Sequence, residues 1–421
     1  MSMNRRVLVK SIGGSLLLRQ IASKRASADD ALLDDMQRRG CLYFAEQAGK
    51  STGQVLDRAR WDSGSGSLDP RKMASIAATG FGLSALCIAE KRGYQPSAQV
   101  IAQVRRTLRF HAEVLPHTHG FFSHFNHIDT GQPFHGSEIS SIDTALLLCG
   151  VLTARAHFHR DAEIAQLATK IYERVDWPWM LNGEKTFSMG LRNGDFLKAR
   201  WNHYCELMML YLLAIGSPTH PIEPACWDTW SRPVMHYAGF DYISASDPLF
   251  VHQYSHAWFD FRNKRDRYAD YFANSILATR AHEAFCLSLG KPYSEDYWGI
   301  SASDSQHGYT AWGGPPGFGG IDGSVVPYAA AGSLPFLPVP CLRVLRALRA
   351  NFGKQTYGRY GFCDAFRAKP GIEWQDPDVL GIDLGIGVLM AENLRTGFVW
   401  ETFARNPEVP LAMQRAGFKP A

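Results

Sequence analysis

Apolar residues recur at three- and four-residue steps through most of the chain, whereas strict apolar/polar alternation is sparse. That periodicity predicts helices over Asp30 to Ala48, Asp69 to Lys91, Ser97 to Val114, Ser141 to His157, Ala162 to Val175, Phe196 to Ile215, Arg265 to Leu289 and Pro338 to Asn351. Many of them end in Gly or Pro and run into long irregular segments. The largest, Tyr297 to Ser333, is rich in Gly, Pro, Ser and aromatics, and loops of that length usually carry function. No low-complexity linker divides the chain, so 29–421 is expected to be a single domain. Roughly twelve helices over ~400 residues, with no parallel-strand signal, suit an all-α toroid barrel in which outer helices enclose inner ones. Inner helices should be apolar nearly all round, because both faces are covered. Two segments meet that requirement: Ile142 to Leu152, IDTALLLCGVL, and Trp201 to Ile215, WNHYCELMMLYLLAI.

Carboxylates mark both segments. Glu206 is the only one in the second run. On a buried helix an ionised, unpaired Glu is costly, so desolvation is expected to raise its pKa, which is what a general acid requires. The first run is preceded by HGSEISS from His135. Ser140 with Asp143 three residues on resembles a capping box, with Asp in place of the usual Glu. Asp143 is then either a cap or part of an active site. Glu138 precedes the cap and is expected to project from the loop at the helix entrance, as a surface residue or as a catalytic one.

Composition narrows the partners. With 421 residues, 46% hydrophobic and 20% charged, the chain matches a soluble globular enzyme. The net charge of +4 is scattered rather than gathered in a stripe, so nucleic acid is not the expected partner. No run approaches the ~20 uninterrupted apolar residues of a membrane span. The 11 Trp, 16 Tyr and 24 Phe include many in polar loops, where Trp and Tyr suggest a surface that stacks on sugar rings or bases. Eight dispersed cysteines without a CxxC pair read as buried free thiols.

Other motifs are weaker. His252 and His256 share a helix face, but without HExxH or a third ligand they are expected to be hydrogen-bonding residues rather than a zinc site. Asp304, Tyr309 and Trp312 share a Gly/Pro loop that either approaches a ligand or is a surface loop with an aromatic plug. Neither a phosphate-cradling fingerprint nor a GxSxG elbow is present. At the N-terminus, Arg5-Arg6, the modest apolar stretch SIGGSLLL and Ala26-Ser27-Ala28 make 1–28 either a twin-arginine-type export signal, with a periplasmic or exported product, or a frayed cytoplasmic tail.

Eight motifs in order extend the picture: SEISSIDTALLLCG, YERVDWPWM, WNHYCELMMLYLLAIGSPTHP, PLFVHQYSHAWFDFRN, YWGISASDSQHGYTAWGGPP, DGSVVPYAAAGSLPF, YGRYGFCDAF and GIDLGIGVLMAENLRTGFVW. Together, from Asp30 to Phe403, they resemble the glycoamylase-like domain, the group of the endo-β-1,2-glucanases of glycoside hydrolase family 144 and the transglycosylase domain of cyclic β-1,2-glucan synthases. The resemblance implies an (α/α)6 barrel acting on β-1,2-linked glucose polymers without metal or organic cofactor. It also implies that Glu138 and Glu206 lie in the substrate cleft, with Trp177, Trp201, Tyr204, His252, Tyr254, His256, Asp304, Tyr309, Trp312 and Arg395 lining sugar subsites. His135-Gly136 stands where the group often carries another acidic residue, which leaves the base open between Glu138 and Asp143. A transglycosylase, a non-catalytic glucan binder and specificity for another β-glucan are the alternatives.

Overall fold

Two kinds of helix share the chain, and burial separates them. The structure, a computed structural model, describes residues 27–421 apart from 65, 135, 246 and 247. Residues 1–26 of the expected export segment, and His135, lie outside the described residues. The helices are α1 (27–46), α2 (Ile76–Arg92), α3 (Ser97–Glu113), α4 (Ser141–His157), α5 (Ala162–Glu173), α6 (Trp177–Leu181), α7 (Met208–Gly216), α8 (Tyr254–Trp258), α9 (Tyr271–Ser288), α10 (Pro327–Gly332), α11 (Pro338–Thr356), α12 (Gly381–Thr396), α13 (Phe398–Phe403) and α14 (Glu408–Arg415).

Every residue of α7, α8 and α10 is buried, as is α4 from Ser141 to Ala154. By contrast α5 buries Ile164, Leu167, Ala168, Ile171 and Tyr172, the single stripe of a helix with one wet face. The buried helices touch in a circuit: α2 packs on α4 and α12, α4 on α7, and α12 on α8 and α10. Ser255 of α8 completes it, donating to the Glu206 carbonyl (2.7 Å) and accepting from the Met209 N–H of α7 (3.0 Å). Outside, α3 covers α2, α5 covers α4, α14 covers α7 and α11 covers α10. Helix α13 touches α2, α4, α8 and α12. All eight cysteines are free and buried.

Short antiparallel strands lead into several inner helices. Met73–Ser75 precedes α2, Ile139–Ser140 precedes α4 and Asp378–Leu380 precedes α12. The largest sheet among the described residues has five strands, in the order His117–Thr118, Phe121–Ser123, Ile139–Ser140, Gly190–Arg192, Asp195–Phe196.

Those strands explain three predicted helix starts that were too early. Helices expected from Asp69, Phe196 and Arg265 begin at Ile76, Met208 and Tyr271. In each case the preceding residues pair as a strand: Met73–Ser75 with Phe125–His127, Arg200–Trp201 with Phe187–Ser188, and Lys264–Arg265 with Lys419–Pro420. Pairing across the fold overrides local periodicity. The side chains of Ser75 and Asp270 then accept from the Ala78 and Ala273 N–H groups and start α2 and α9. The expected Tyr297 to Ser333 loop contains a hairpin, Ala302–Ser305 with Gly308–Ala311, and the whole of α10.

Helices α2 and α4 cross at two glycines. A Cβ on Gly150 would fall 2.0 Å from the Gly80 carbonyl oxygen, and one on Gly80 would fall 2.2 Å from that of Leu146. Both obstacles are backbone, so neither can swing aside. Gly150→Ala is expected to cost about 1–3 kcal/mol, read as a lower urea midpoint at unchanged m-value.

Candidate active site

The inner helices bring their N-termini to one end of the molecule, and charged side chains collect there. Asp143 is the third residue of α4 and Asp383 the third of α12, the positions where a carboxylate meets exposed N–H groups and the positive end of the helix dipole. Asp57 joins them: its carbonyl accepts from the Gly381 N–H (2.7 Å) at the start of α12. His124 joins from the strand side, its carbonyl accepting from the Ile76 N–H at the start of α2 (3.2 Å).

At the α4 entrance, the Ser140 hydroxyl accepts from the Asp143 N–H (3.3 Å), so the expected N-cap is present. The Asp143 carboxylate does not reach back to a backbone N–H as a capping box would; it accepts from the Ser140 hydroxyl (2.5 Å) and faces His124 Nε2 (3.4 Å). The other ring nitrogen, Nδ1, lies 3.2 Å from Glu138, whose second oxygen accepts from Arg192 (3.0 Å). The hydrogen bond from His124, with Arg192 adding to it, pulls the Glu138 carboxyl down to about 2. Trp201 is half-buried alongside, its indole N–H donating to Ser141 at the start of α4 (2.9 Å).

Glu206 does not lie on a buried helix. It sits in the turn ahead of Met208 and is half-buried, because Trp201 to Tyr204 is held in extended form against Phe187 and Ser231. Burial first, then the charges of Asp383, Tyr309, Glu206 and Asp364, hold the Tyr254 phenol well above its ordinary range, which puts Glu206 among the acids at this end. Tyr309 feels Asp383, Asp364, Asp57 and Glu206 in the same way, although 52% of its surface is exposed.

Asp364 and Asp383 are buried, and burial followed by the charge of Asp383 raises Asp364 far above the carboxylate range. Burial likewise raises Asp383, whose Oδ1 accepts from the Tyr254 hydroxyl (3.4 Å). Asp364 Oδ1 and Asp383 Oδ2 have no hydrogen-bond partner. One proton shared between the two groups satisfies both, since two adjacent buried carboxylates cannot both ionise. Asp304 accepts from Arg58, and its backbone N–H donates to Asp364 (3.0 Å). Asp304, Asp376 and Asp378 each bring a carboxylate oxygen within 4.8 Å of the others, a spacing that fits a cation. Arg58 on Asp304 and Arg71 on both oxygens of Asp378 (2.5 and 2.8 Å) already place positive charge there.

Of the residues the sequence nominated, the structure brings Glu138, Asp143, Trp201, Glu206, Tyr254, Asp304 and Tyr309 to this end. Five others stand behind the wall. Trp177 is fully buried, edge-on to Phe121 at 5.5 Å. The Tyr204 hydroxyl and His252 Nδ1 lie 3.0 Å apart, His256 Nε2 and the Ser275 hydroxyl 3.1 Å apart, and Trp312 donates to Ser303 (3.0 Å). A buried ring has no face left for a sugar. Burial pushes both histidines down to about 3, so they are neutral packing residues, in keeping with the hydrogen-bonding reading. Arg395 lies at the opposite end: it is twelve residues past Asp383 on α12, about 18 Å along the axis, and its guanidinium binds Asp30 (2.8 Å), Asp34 and Gln37 of α1.

Sequence reasoning missed Asp57, His124, Asp364 and Asp383. A signal for Asp383 was present: Gly381-Ile382-Asp383 opens an apolar helix as Ser141-Ile142-Asp143 does. For Asp57, His124 and Asp364 there was none, because strand pairing alone brings them in.

The Glycoamylase family model matches residues 198–407. The exo β-1,2-glucooligosaccharide sophorohydrolase (non-reducing end) of Parabacteroides distasonis is 27% identical over 92% of this chain, which spans 58% of that protein's length. An endo-β-1,2-glucanase from Chitinophaga pinensis, solved with sophorotriose and glucose, superposes with a TM-score of 0.85 at 25% identity, covering 93% of this chain and 98% of that one. Over residues 198–407 the chain is similar to the Glycoamylase family. A β-1,2-glucanase from Parabacteroides distasonis shares the fold at a TM-score of 0.84 and 24% identity, over 92% of this chain and 60% of that one.

The buried acid pair makes stability depend on pH. The folded pair Asp364 and Asp383 holds a proton that the unfolded chain releases at ordinary carboxylate pKa values, so stability from this pair is lost as pH rises above ~4. Asp383→Asn removes one charge without changing shape. It is expected to raise the melting temperature by about 1–3 °C at pH 7.5 and to lose that advantage near pH 4, as measured by calorimetry.

Proposed function

We propose that this chain is a glycoside hydrolase that cleaves β-1,2-glucan to short β-1,2-linked gluco-oligosaccharides, on an (α/α)6 toroid whose inner helix entrances form the cleft. What carries this reading is the gathering of Glu206, Asp383, Tyr254 and Tyr309 at that end of the molecule, in a chain similar to β-1,2-glucan hydrolases along nearly its whole length. Carboxylates on a half-open surface beside an exposed Tyr ring are the groups that bind sugar hydroxyls and sugar faces.

In the proposed reaction, Glu206 protonates the leaving glycosidic oxygen and a carboxylate on the other side takes the proton from water, directly or through a substrate hydroxyl and a water chain. The geometry shifts the second role away from Glu138, whose carboxyl, held near 2 by His124 and Arg192, is a weak proton acceptor. Asp383, raised by burial, takes up a proton more readily near neutral pH. Glu138 and Asp143 then serve as ionised acceptors for sugar hydroxyls. Endo cleavage is the first reading. Exo release of a disaccharide is the second, favoured by the activity named for the Parabacteroides relative.

Incubation with linear β-1,2-glucan, product sizing and NMR of the first anomer released test the proposal together. A spread of linear products means endo action, disaccharide from the outset means exo action, and rings or redistributed lengths mean transfer. Absence of new reducing ends overturns hydrolysis. Glu206→Gln is expected to lower kcat by about 10²–10⁴-fold while calorimetric binding of β-1,2-gluco-oligosaccharides stays near wild type; near-normal turnover in that variant removes Glu206 from the acid role.

A further inference from the structure

His124 carries a carboxylate on each ring nitrogen: Glu138 at 3.2 Å on Nδ1 and Asp143 at 3.4 Å on Nε2. A neutral imidazole has one N–H, so it satisfies one of these acids and turns a lone pair on the other. Only the imidazolium donates to both. The rest of the residue is held in place: its N–H donates to the Glu138 carbonyl (2.9 Å), its carbonyl accepts from Ile76, and its ring stacks on Phe125 at 3.7 Å. These contacts fix the backbone of His124 in the bend between strands Phe121–Ser123 and Phe125–His127, and the stack on Phe125 holds the ring between the two acids.

The charged groups facing the ring come from each neighbouring element. Asp143 belongs to α4, Glu138 to the loop before Ile139–Ser140, and Asp57 to the segment leading into Arg58–Arg60; Arg192 acts through Glu138. Burial works against the charge on the ring, and Asp143, Glu138 and Asp57 outweigh it, so His124 holds its second proton more tightly than an ordinary histidine.

We propose that His124 is a positioning residue that clamps Glu138 and Asp143 at the mouth of the cleft, and that its protonated form is the substrate-binding form. Glu138 and Asp143 accept sugar hydroxyls while ionised and held apart by the ring between them. When the ring loses its proton, one N–H···carboxylate contact becomes a repulsion between a lone pair and an anion, and that acid swings out of register. The inference rests on the reading of this cleft as a glucan site, and it assigns the alkaline limb of binding to one residue.

The test uses the full chain. In wild type, KM for β-1,2-glucan is expected to rise on the alkaline side, with a midpoint above the ordinary histidine range, while kcat changes little. Glu138→Gln removes one of the acids that hold the proton and moves that midpoint to lower pH. His124→Gln abolishes the limb and raises KM by about tenfold at all pH values. Nitrogen-15 shifts of the histidine rings supply a readout independent of turnover and of whether the His124 variant folds: one ring stays an imidazolium to higher pH than an ordinary histidine in wild type and titrates earlier in Glu138→Gln. If wild type fails to cleave the glucan, the functional reading falls while the ring titration still decides the clamp. No histidine titrating above the ordinary range, or a wild-type alkaline limb surviving in His124→Gln, overturns it.

Discussion

A helix covered on all sides can carry charge only at its ends. That constraint organises this molecule. Along α2, α4, α7, α8, α10 and α12 no ionised group sits mid-helix; α2 ends in Glu90, Lys91 and Arg92, α4 starts with Asp143 and ends with Arg155 and His157, and α12 starts with Asp383 and ends with Glu392 and Arg395. The acids at the starts and the bases at the finishes follow the helix dipole. The far end uses its charges for assembly: Arg92 of α2 bonds Glu392 of α12 at 2.9 Å, Gln37 of α1 bonds the same carboxylate at 2.8 Å, and Arg395 ties α12 back to α1. The near end gathers more acids than bases, and this imbalance gives it chemistry.

Carboxylates at that end have been driven apart in character by their partners. Glu138, bonded by His124 and Arg192, is a strong anion, whereas Asp364 and Asp383, buried against each other without a cation, hold on to a proton. Acids with separated proton affinities in one cleft are a standard arrangement for handling both binding and proton transfer. Its cost is stability, because the proton-holding pair opposes folding when ionised. The surrounding close packing, as at the Gly80 and Gly150 crossing, offsets it.

Much of this was legible in the residue order. An apolar run with a single carboxylate near its start forecast each of the buried helices α4 and α7, and the Ser140 cap forecast where α4 begins, to the residue. Of the nominated acids, Glu138 and Asp143 flank one histidine, and Glu206 is among the charges acting on Tyr254. Trp177, Tyr204, His252, His256 and Trp312, which the resemblance implied as sugar-subsite residues, are buried in the wall, since a matching motif does not say which of its side chains is covered. Glu206 was placed one turn too deep because Trp201 to Tyr204 reads as helix yet pairs as a strand.

The sequence by itself determined the helical core, the positions of its caps and the identity of several acids, since periodicity, capping and the cost of buried charge act over a few residues and leave their mark locally. Tertiary structure alone decided which acids meet, which rings face outward and which histidine stands between two carboxylates. Asp57, His124, Asp364 and Asp383 are far apart in the chain and share one end of the molecule only because strands 58–60 and 378–380 pair, because 73–75 pairs with 125–127, and because the inner helices start on the same side. Proton affinity in such a cluster is a property of distances between segments, and no single segment carries it.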